Sequence, residues 1–413
     1  MRRLYPLFGF ASLGLMMSVN ANASGFRLPE ASVAGVGTSN ALVANYKELG
    51  AVVYNPAAMS FHDGTNIVAG LVLIDHKVSA TPAGKTDKID SDHDSPAYVP
   101  NLSVINRRSP QWSWGFNVNA PFGLETNWPK NTFPILSSPL TASMHPAETR
   151  IELINFNPNV AYKIGANTSV AVGLDYYRVR EVKLNTQVAT IKGDGSDVGW
   201  NAALMHVAGP WSFGASYRSA ISVGVDGNLT SPLGATGVVA DVNLPWMLQV
   251  GARYQATDKL GVEFDYERTG WKKFNQIIAA TTTGSPRVIN ANGWSNADAY
   301  RLGMTYDLNA SNQLRAGYSR DFTGQSDAHF SARVPDADRN LFSVGLRHKI
   351  AGGWELEGAY MYVKFDNRNY ASMTPFAPSP LSVSSQDPNG TVAYNGKYEN
   401  SAHLLGLGVT KRF

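Results

Sequence analysis

The chain has 413 residues and no cysteine, so an exported form would fold without disulfides. Its 35 Lys and Arg nearly balance its 32 Asp and Glu, and no basic cluster points to a nucleic-acid partner. The mean hydropathy of −0.18 is typical of a soluble protein, but transmembrane β-strands give similar values because their lipid-facing and lumen-facing residues alternate.

The first 23 residues follow the order basic, apolar, small that is typical of a secretory signal peptide. Met1-Arg2-Arg3 precedes an apolar stretch from Leu4 to Val19, and Ala21-Asn22-Ala23 follows it. We expect residues 1–23 to be removed on export; the alternative is a buried N-terminal helix. No later apolar run reaches about 18 residues, so helical membrane spans are not expected.

Residues 24–64 show no strand-like alternation. They are rich in Ala, Gly, Ser and Val, and they include the tripeptide Asn55-Pro56-Ala57. We expect them to form a separate segment before the first predicted strand, which begins at Thr65.

From Thr65 onwards, apolar and polar residues alternate in short segments. The clearest example is Gly-Val-Glu-Phe-Asp-Tyr-Glu at residues 261–267. Because side chains of a strand point to opposite faces with period two, one face is apolar and the other carries three carboxylates. The same parity places four arginines on the carboxylate-bearing, lumen-facing side: Arg253, Arg301, Arg315 and Arg347. We expect most of these charges to pair across strands, since buried charges are paired or very costly.

The connections between these segments alternate between short turns, such as 351–353, and long polar loops, such as 79–96 and 368–397. This is the pattern of outer-membrane barrels, and the count gives about fourteen strands between Thr65 and Phe413. The sequence therefore predicts an all-β fold, a transmembrane antiparallel β-barrel occupying residues 65–413. Such a barrel is wider than the roughly eight-stranded size that side chains alone can fill, so residues 24–64 are expected inside the lumen as a hatch.

The chain ends on an aromatic residue, Phe413, which shares a strand face with Leu405 and Leu407. This ending resembles the signal that outer-membrane barrels offer to the barrel assembly machinery; the alternative is a soluble protein that ends on a strand. We expect a monomer whose outer face contacts outer-membrane lipid and lipopolysaccharide.

Several segments resemble the FadL family of outer-membrane transport proteins for long-chain fatty acids and other hydrophobic compounds. They are the start of the mature chain at Ser24-Gly-Phe-Arg-Leu-Pro-Glu, the tripeptide Asn55-Pro56-Ala57, Val99-Pro100-Asn101 and Ala120-Pro-Phe-Gly-Leu-Glu-Thr126. The resemblance extends from about Ser24 to Phe413, and the order of the segments is more specific than any one of them.

The resemblance implies a hatch-plugged barrel, with ligand capture among the external loops and an interior pocket near the hatch N-terminus, at Phe26. It also implies lateral exit at a kink in the third strand. That strand is predicted at residues 111–124, so the kink should lie at Pro121, Phe122 and Gly123. Pro lacks the N–H that a sheet needs and Gly weakens a strand interior, so both residues favour a bend there. A plain strand end before an external loop is the alternative. If the kink forms, its unpaired backbone groups need polar partners at the gap, because such groups cannot face hydrocarbon. Asn55, presented by a turn at Pro56, is the candidate, since its amide both donates and accepts.

Two external loops, residues 128–140 and 229–240, have high apolar content. In the first, Phe133, Ile135, Leu136 and Leu140 are candidates for a capture groove, since exposed apolar patches mark binding surfaces. Packing between loops is an equal alternative. The family places basic ligand contacts near the fifth strand, where Lys183 is the candidate because parity turns Arg178 and Arg180 outward.

The sequence predicts passive transport, since it contains no phosphate-binding loop of the Walker type. No catalytic, metal or cofactor site is expected. The nearest alternative is a channel of the same fold for aromatic hydrocarbons. An outer-membrane lipid hydrolase would need a Ser held beside a His, which the strand parities do not provide. A water-filled porin is disfavoured by the predicted hatch.

Overall fold

The structure, a computed structural model, describes residues 25–92, 96–282, 287–376 and 384–413, with the side chains of 287–288 and 384–386 left aside. The predicted signal peptide, residues 1–23, and Ser24 lie outside these ranges. No helix among the described residues is long and apolar enough to cross a membrane.

The described residues form a closed antiparallel barrel of fourteen wall strands, some of them interrupted or accompanied by short strands, so that 22 separate strands are distinguished. The strands are β1 Thr65–Pro82, β2 Ile89–Asp90, β3 Ala97–Arg107, β4 Trp112–Asn119, β5 Gly123–Asn127, β6 Glu148–Ile164, β7 Thr168–Asn185, β8 Thr190–Ala208, β9 Trp211–Arg218, β10 Ile221–Ser231, β11 Gly234–Leu244, β12 Met247–Gln255, β13 Leu260–Thr269, β14 Gln276–Thr281, β15 Arg287–Ala291, β16 Ala297–Asp307, β17 Asn312–Asp321, β18 Arg339–Ile350, β19 Trp354–Phe365, β20 Arg368–Tyr370, β21 Ser384–Gln386 and β22 Gly396–Arg412.

Consecutive wall strands pair with each other, and β22 closes the barrel by pairing with β1 from Asn66–Arg412 to Pro82–Gly396. Some wall positions contain two successive strands, as where β4 and β5 both pair with β6. The predicted loop at residues 229–240 is wrong, because these residues form the β10–β11 hairpin. Its alternation of small and polar residues is weak, so the apolar content alone suggested a loop.

The predicted parity of the wall is confirmed. Phe264 is 51% exposed on the outer face of β13, whereas Glu263 is fully buried. The inward charges pair across strands as expected: Arg315 with Glu357 at 2.9 Å and Arg301 with Glu267 at 3.2 Å. The barrel therefore presents an apolar exterior and a polar, internally neutralised interior.

Residues 25–64 contain α1, Val33–Gly37, and two 3₁₀-helices, Leu49–Ala51 and Pro56–Phe61. Ser32 caps α1 by accepting from the Gly35 amide, and Asn55 caps the second 3₁₀-helix by accepting from the Ala57 amide. The remaining helices are all single 3₁₀ turns in the connections: Pro134–Leu136, Ala142–Met144, Trp271–Lys273, Asp327–His329, Ala351–Gly353 and Val392–Tyr394.

This N-terminal segment packs against several parts of the wall. α1 contacts β1, β17, β18, β19 and β22, while the helix Pro56–Phe61 contacts β3, β4, β6, β7 and β8. Polar anchors add to this packing, since the Val43 amide donates to Asp265 at 3.0 Å and the Ala44 amide to Glu263 at 2.7 Å. The buried carboxylates of β13 therefore bind the N-terminal segment as well as arginines.

Candidate ligand-binding site

The third wall strand is interrupted where the sequence predicts a kink. β4 ends at Asn119, β5 begins at Gly123, and the intervening residues include Pro121, which has no amide to donate. β3 pairs with β4 as far as Leu102–Val118, and no ladder pair joins the described part of β3 to β5. The wall therefore lacks backbone pairing on one side of the interruption.

Residues 26–28 of the N-terminal segment occupy part of this interruption. The Leu28 amide donates to the Pro121 carbonyl at 2.9 Å, and the Gly123 amide donates to the Phe26 carbonyl at 3.1 Å. Arg27 and Phe122 form the corresponding antiparallel bridge. Polar backbone groups that would otherwise face the opening are thus satisfied by a short added strand.

The expectation that Asn55 lines this opening is wrong. The Asn55 amide instead donates to the carbonyls of Val43 and Leu204, at 2.8 and 2.9 Å. Its capping role in the N-terminal segment fixes this orientation, with Pro56 as the first residue of the capped helix and Ala57 fully buried. The tripeptide therefore makes structural contacts, and it does not line the cavity at the interrupted strand.

A cavity of about 570 Å³ lies between the N-terminal segment and the interrupted strand. This volume is within the range of roughly 300–1,000 Å³ that is common for small-molecule sites. Its apolar lining includes Phe26, Leu28, Tyr98, Phe122, Leu124 and Ile151. Since Tyr98 and Leu124 lie on β3 and β5, the cavity reaches both edges of the unpaired stretch.

An aromatic cluster borders the cavity at Phe26. The Phe26 ring lies 4.7 Å from Trp271, 5.3 Å from Phe274 and 6.1 Å from Trp294, measured between ring centroids. Phe122 joins it at 6.0 Å. Sequence reasoning missed the two tryptophans and Phe274, because they lie after the regular alternation of β13 has ended.

The basic residue at the cavity is Arg180, not Lys183. Lys183 pairs with Glu148 at 2.6 Å and is absent from the cavity lining. Arg180 is exposed, as its parity predicts, but it also contributes to the cavity lining. It lies in a β-bulge, where the β7–β8 register shifts between Val179 and Val182, and bulges re-aim side chains.

Arg180 differs from the other cations of the lining by its lack of a described acidic partner. Arg27 pairs with Glu267, and Arg150 pairs with Glu125 at 2.5 Å. Among the described residues, no hydrogen bond or ion pair engages the Arg180 guanidinium. The cavity therefore combines apolar lining residues with an exposed guanidinium that has no described acidic partner.

The candidate capture loop separates into buried and exposed residues. Phe133 and Leu136 are fully buried in a cluster of loop side chains, where the Phe133 ring lies 5.5 Å from Trp128 and 5.3 Å from Tyr394. Ile135 and Leu140 remain exposed, at 44% and 84%. Packing between loops thus accounts for the first two residues, and only the second two present apolar surface.

A closed barrel with an apolar exterior, an interior apolar cavity and an unpaired stretch of wall defines an outer-membrane channel for hydrophobic compounds. The family described as "Outer membrane protein transport protein (OMPP1/FadL/TodX)" matches residues 14–413, and the chain belongs to this family. It is therefore a protein of the Gram-negative outer membrane, in a family of transport channels.

Similarity to known proteins extends over nearly the whole chain. The chain is 25% identical to the "Long-chain fatty acid transport protein" of Escherichia coli O6:H1, over 100% of its own length and 99% of that protein. Among solved structures it resembles a Pseudomonas aeruginosa FadL homologue, with a TM-score of 0.77, 15% identity and coverage of 94% and 99% of the two chains. It also resembles the toluene transporter TodX of Pseudomonas putida, with a TM-score of 0.69, 14% identity and coverage of 92% and 98%.

Proposed function

We propose that this protein is a passive uptake channel for long-chain fatty acids. The observation that carries this proposal is the unpaired Arg180 beside an apolar cavity of about 570 Å³. A fatty acid has both matching parts, a carboxylate and an acyl tail. The name of the Escherichia coli relative, a long-chain fatty acid transport protein, supports the same substrate class.

Both parts of the ligand contribute to binding. Each buried CH₂ group of the tail contributes about 0.8 kcal/mol, so the apolar wall supplies most of the affinity. The guanidinium of Arg180 can bind the carboxylate through charge-assisted hydrogen bonds, which are roughly twice as strong as neutral ones. The tail would then lie along Phe26, Phe122 and Leu124.

We further propose a route through the molecule. Ile135 and Leu140, the exposed residues of the 128–140 loop, would capture ligand from outside. Residues 24–64 would act as a hatch that blocks a straight path to the periplasm. Ligand would leave sideways past Pro121, Phe122 and Gly123, where β5 lacks pairing with the described part of β3. No step of this route needs an energy source other than the ligand gradient.

An aromatic hydrocarbon is the second candidate substrate. The cluster of Phe26, Trp271, Phe274 and Trp294 beside the cavity favours it, because aromatic rings pack well edge to face. The toluene transporter among the structural neighbours supports the same alternative. Arg180 distinguishes the two candidates, since a hydrocarbon has no use for a positive charge.

A competition experiment with the purified protein distinguishes the fatty acid from the aromatic hydrocarbon as substrate. Hexadecanoic acid, hexadecanol and toluene would compete for binding with a fluorescent fatty acid. We expect Arg180→Gln to weaken the binding of hexadecanoic acid by about 10-fold, which corresponds to the loss of one charge-assisted hydrogen bond. The binding of hexadecanol should not change. Arg178→Gln is the matched control, because Arg178 lies on the same strand and already pairs with Asp194 at 2.5 Å. Tighter binding of toluene than of the acid, with no effect of Arg180→Gln, would favour the hydrocarbon channel.

A further inference from the structure

His76 lies on β1 just beyond the point where β3 stops accompanying it. The last β1–β3 pair is Ile74–Ala97, and His76, two residues further on, still pairs with β22 at Ala402. The His76 ring lines the cavity together with Ile74 and Val78. It therefore points inward at the edge of the unpaired stretch.

From this position the His76 side chain reaches across to β5. Its Nε2 lies 3.3 Å from the Glu125 carbonyl oxygen, and since a carbonyl only accepts, Nε2 carries the proton and donates. This contact joins β1 to β5, which are not neighbours in the barrel sheet. At the far end of β5, the Asp92 amide in the connection after β2 donates to the Asn127 carbonyl at 2.8 Å.

The Glu125 carbonyl needs such a partner. Among the described strands, β5 forms a ladder only with β6. At its other edge Gly123 bonds to Phe26 and Asn127 bonds to Asp92. The carbonyl of Glu125 lies between these two bonds. A backbone carbonyl that is shielded from water and has no partner is destabilising. The imidazole N–H thus replaces the ladder bond that a strand would supply.

We propose that His76 is the latch of the lateral opening: its side chain bridges β1 and β5, narrows the route from the cavity to the lipid, and must swing away for a ligand to leave. This inference rests on the lateral route of the proposed function. It makes His76 a residue that sets the rate and width of exit, while Arg180, Phe26 and Phe122 supply the main ligand contacts of the proposed function.

Three substitutions separate the hydrogen bond from the bulk of the ring. His76→Gln keeps an N–H donor of similar reach, His76→Ala removes both donor and bulk, and His76→Trp adds bulk. We expect fatty-acid uptake by cells to rise about 3- to 10-fold in His76→Ala, the effect of removing one hydrogen bond from the closed state. Uptake should fall in His76→Trp and stay near wild type in His76→Gln. Equilibrium binding to the purified protein should change less than uptake does in each variant, because the proposed ligand contacts at Arg180, Phe122 and Leu124 are kept.

A second measurement is independent of any transported ligand. The chain has no cysteine, so Leu124→Cys introduces a single thiol in the cavity lining. A maleimide dissolved in the lipid must pass the opening to reach it. Its labelling rate should rise in the His76→Ala background and fall in the His76→Trp background. Leu407→Cys is the control, because Leu407 is 57% exposed on the outer wall and its labelling should not respond to residue 76.

The two measurements separate the latch from the transport function. Unchanged labelling of Leu124→Cys in both His76 backgrounds would overturn the latch, whatever the uptake result. Absence of fatty-acid uptake by the wild-type protein would overturn the proposed substrate, and the labelling result alone would then decide the role of His76.

Discussion

The backbone amide of Gly123 donates a hydrogen bond of 3.1 Å to the carbonyl of Phe26, which joins an interrupted wall strand to the N-terminal segment. Wall strands normally pair with wall strands, because a barrel has no free edges. Here a piece of the segment before β1 takes the place of a neighbour. The cavity of about 570 Å³ lies against this junction, so a shift of residues 26–28 would open the cavity and the wall together.

The outer face of β13 should not tolerate charge. Phe264 lies in the middle of this strand and is 51% exposed to lipid. Phe264→Arg should impair assembly, because an arginine near the bilayer midplane costs about 2–4 kcal/mol. The fraction of heat-modifiable, folded protein in outer-membrane preparations measures the effect. Phe264→Leu should assemble normally, and equal assembly of both variants would show that this face does not meet lipid.

The N-terminal segment should depend on backbone contact with the wall. A Cβ atom at Gly317 on β17 would clash with the backbone of Thr38, whereas a Cβ at Gly358 on β19 would meet nothing. We expect Gly317→Val to displace the segment and to raise ion conductance in planar bilayers. Gly358→Val, which adds the same volume, should conduct ions no better than wild type. A Gly317→Val protein that assembles normally and shows no increase in conductance would contradict the proposed role of residues 24–64 as a hatch.

Glu48 should stabilise the fold in a pH-dependent way. Burial would raise the pKa of its carboxyl, but the guanidinium groups of Arg315 and Arg347 outweigh burial and lower the pKa to about 2. The folded-state pKa lies below the unfolded value. The contribution of Glu48 to the free energy of unfolding is therefore complete above pH ~4.5 and disappears as the pH falls toward about 2.

Urea unfolding of Glu48→Gln at several pH values tests this. At neutral pH the variant should lose about 3–5 kcal/mol of unfolding free energy, the cost of removing one partner of a buried ion pair. The difference from wild type should shrink steadily as the pH falls below ~4.5. Asp63→Asn is the control, because Asp63 is 89% exposed in its pair with Arg107 and such pairs contribute little. A pH-independent difference for Glu48→Gln would refute the electrostatic explanation.

The sequence was sufficient to predict the wall because period-two alternation depends only on neighbouring residues. It predicted the parity of β13 and the interruption at Pro121 to Gly123, both of which are local properties. The contribution of Arg180 to the cavity was missed because this residue lies in a bulge between Val179 and Val182, and no single residue type signals a bulge. A strand of 18 residues leaves room for such a shift, which a strict count of alternate positions cannot detect.

The site itself depends on contacts between distant parts of the chain. Phe26 meets Trp271 and Trp294 only after the barrel has closed around it. Similarly, Asn55 was placed at the opening from its chemistry, but a local cap and the carbonyls of Val43 and Leu204 determine where its amide points. Residue type indicated which groups are polar or aromatic, and three-dimensional packing determined which of them meet.

The central claim is that hydrophobic ligand leaves sideways at the interrupted strand, and repairing that strand tests it most directly. In the double variant Pro121→Val and Gly123→Ala, Val restores an amide donor and both residues suit a strand. The new Cβ at residue 123 would lie 2.9 Å from the Leu28 Cδ1 atom, the tip of a flexible side chain that can move aside. The measurement is the rate of fatty-acid uptake by cells that carry equal amounts of folded wild-type or variant protein. We predict that uptake falls at least about 10-fold while ligand still binds the purified variant, since closing the exit adds a barrier without removing ligand contacts. Uptake at the wild-type rate by the folded variant would contradict lateral exit and indicate a path past residues 24–64.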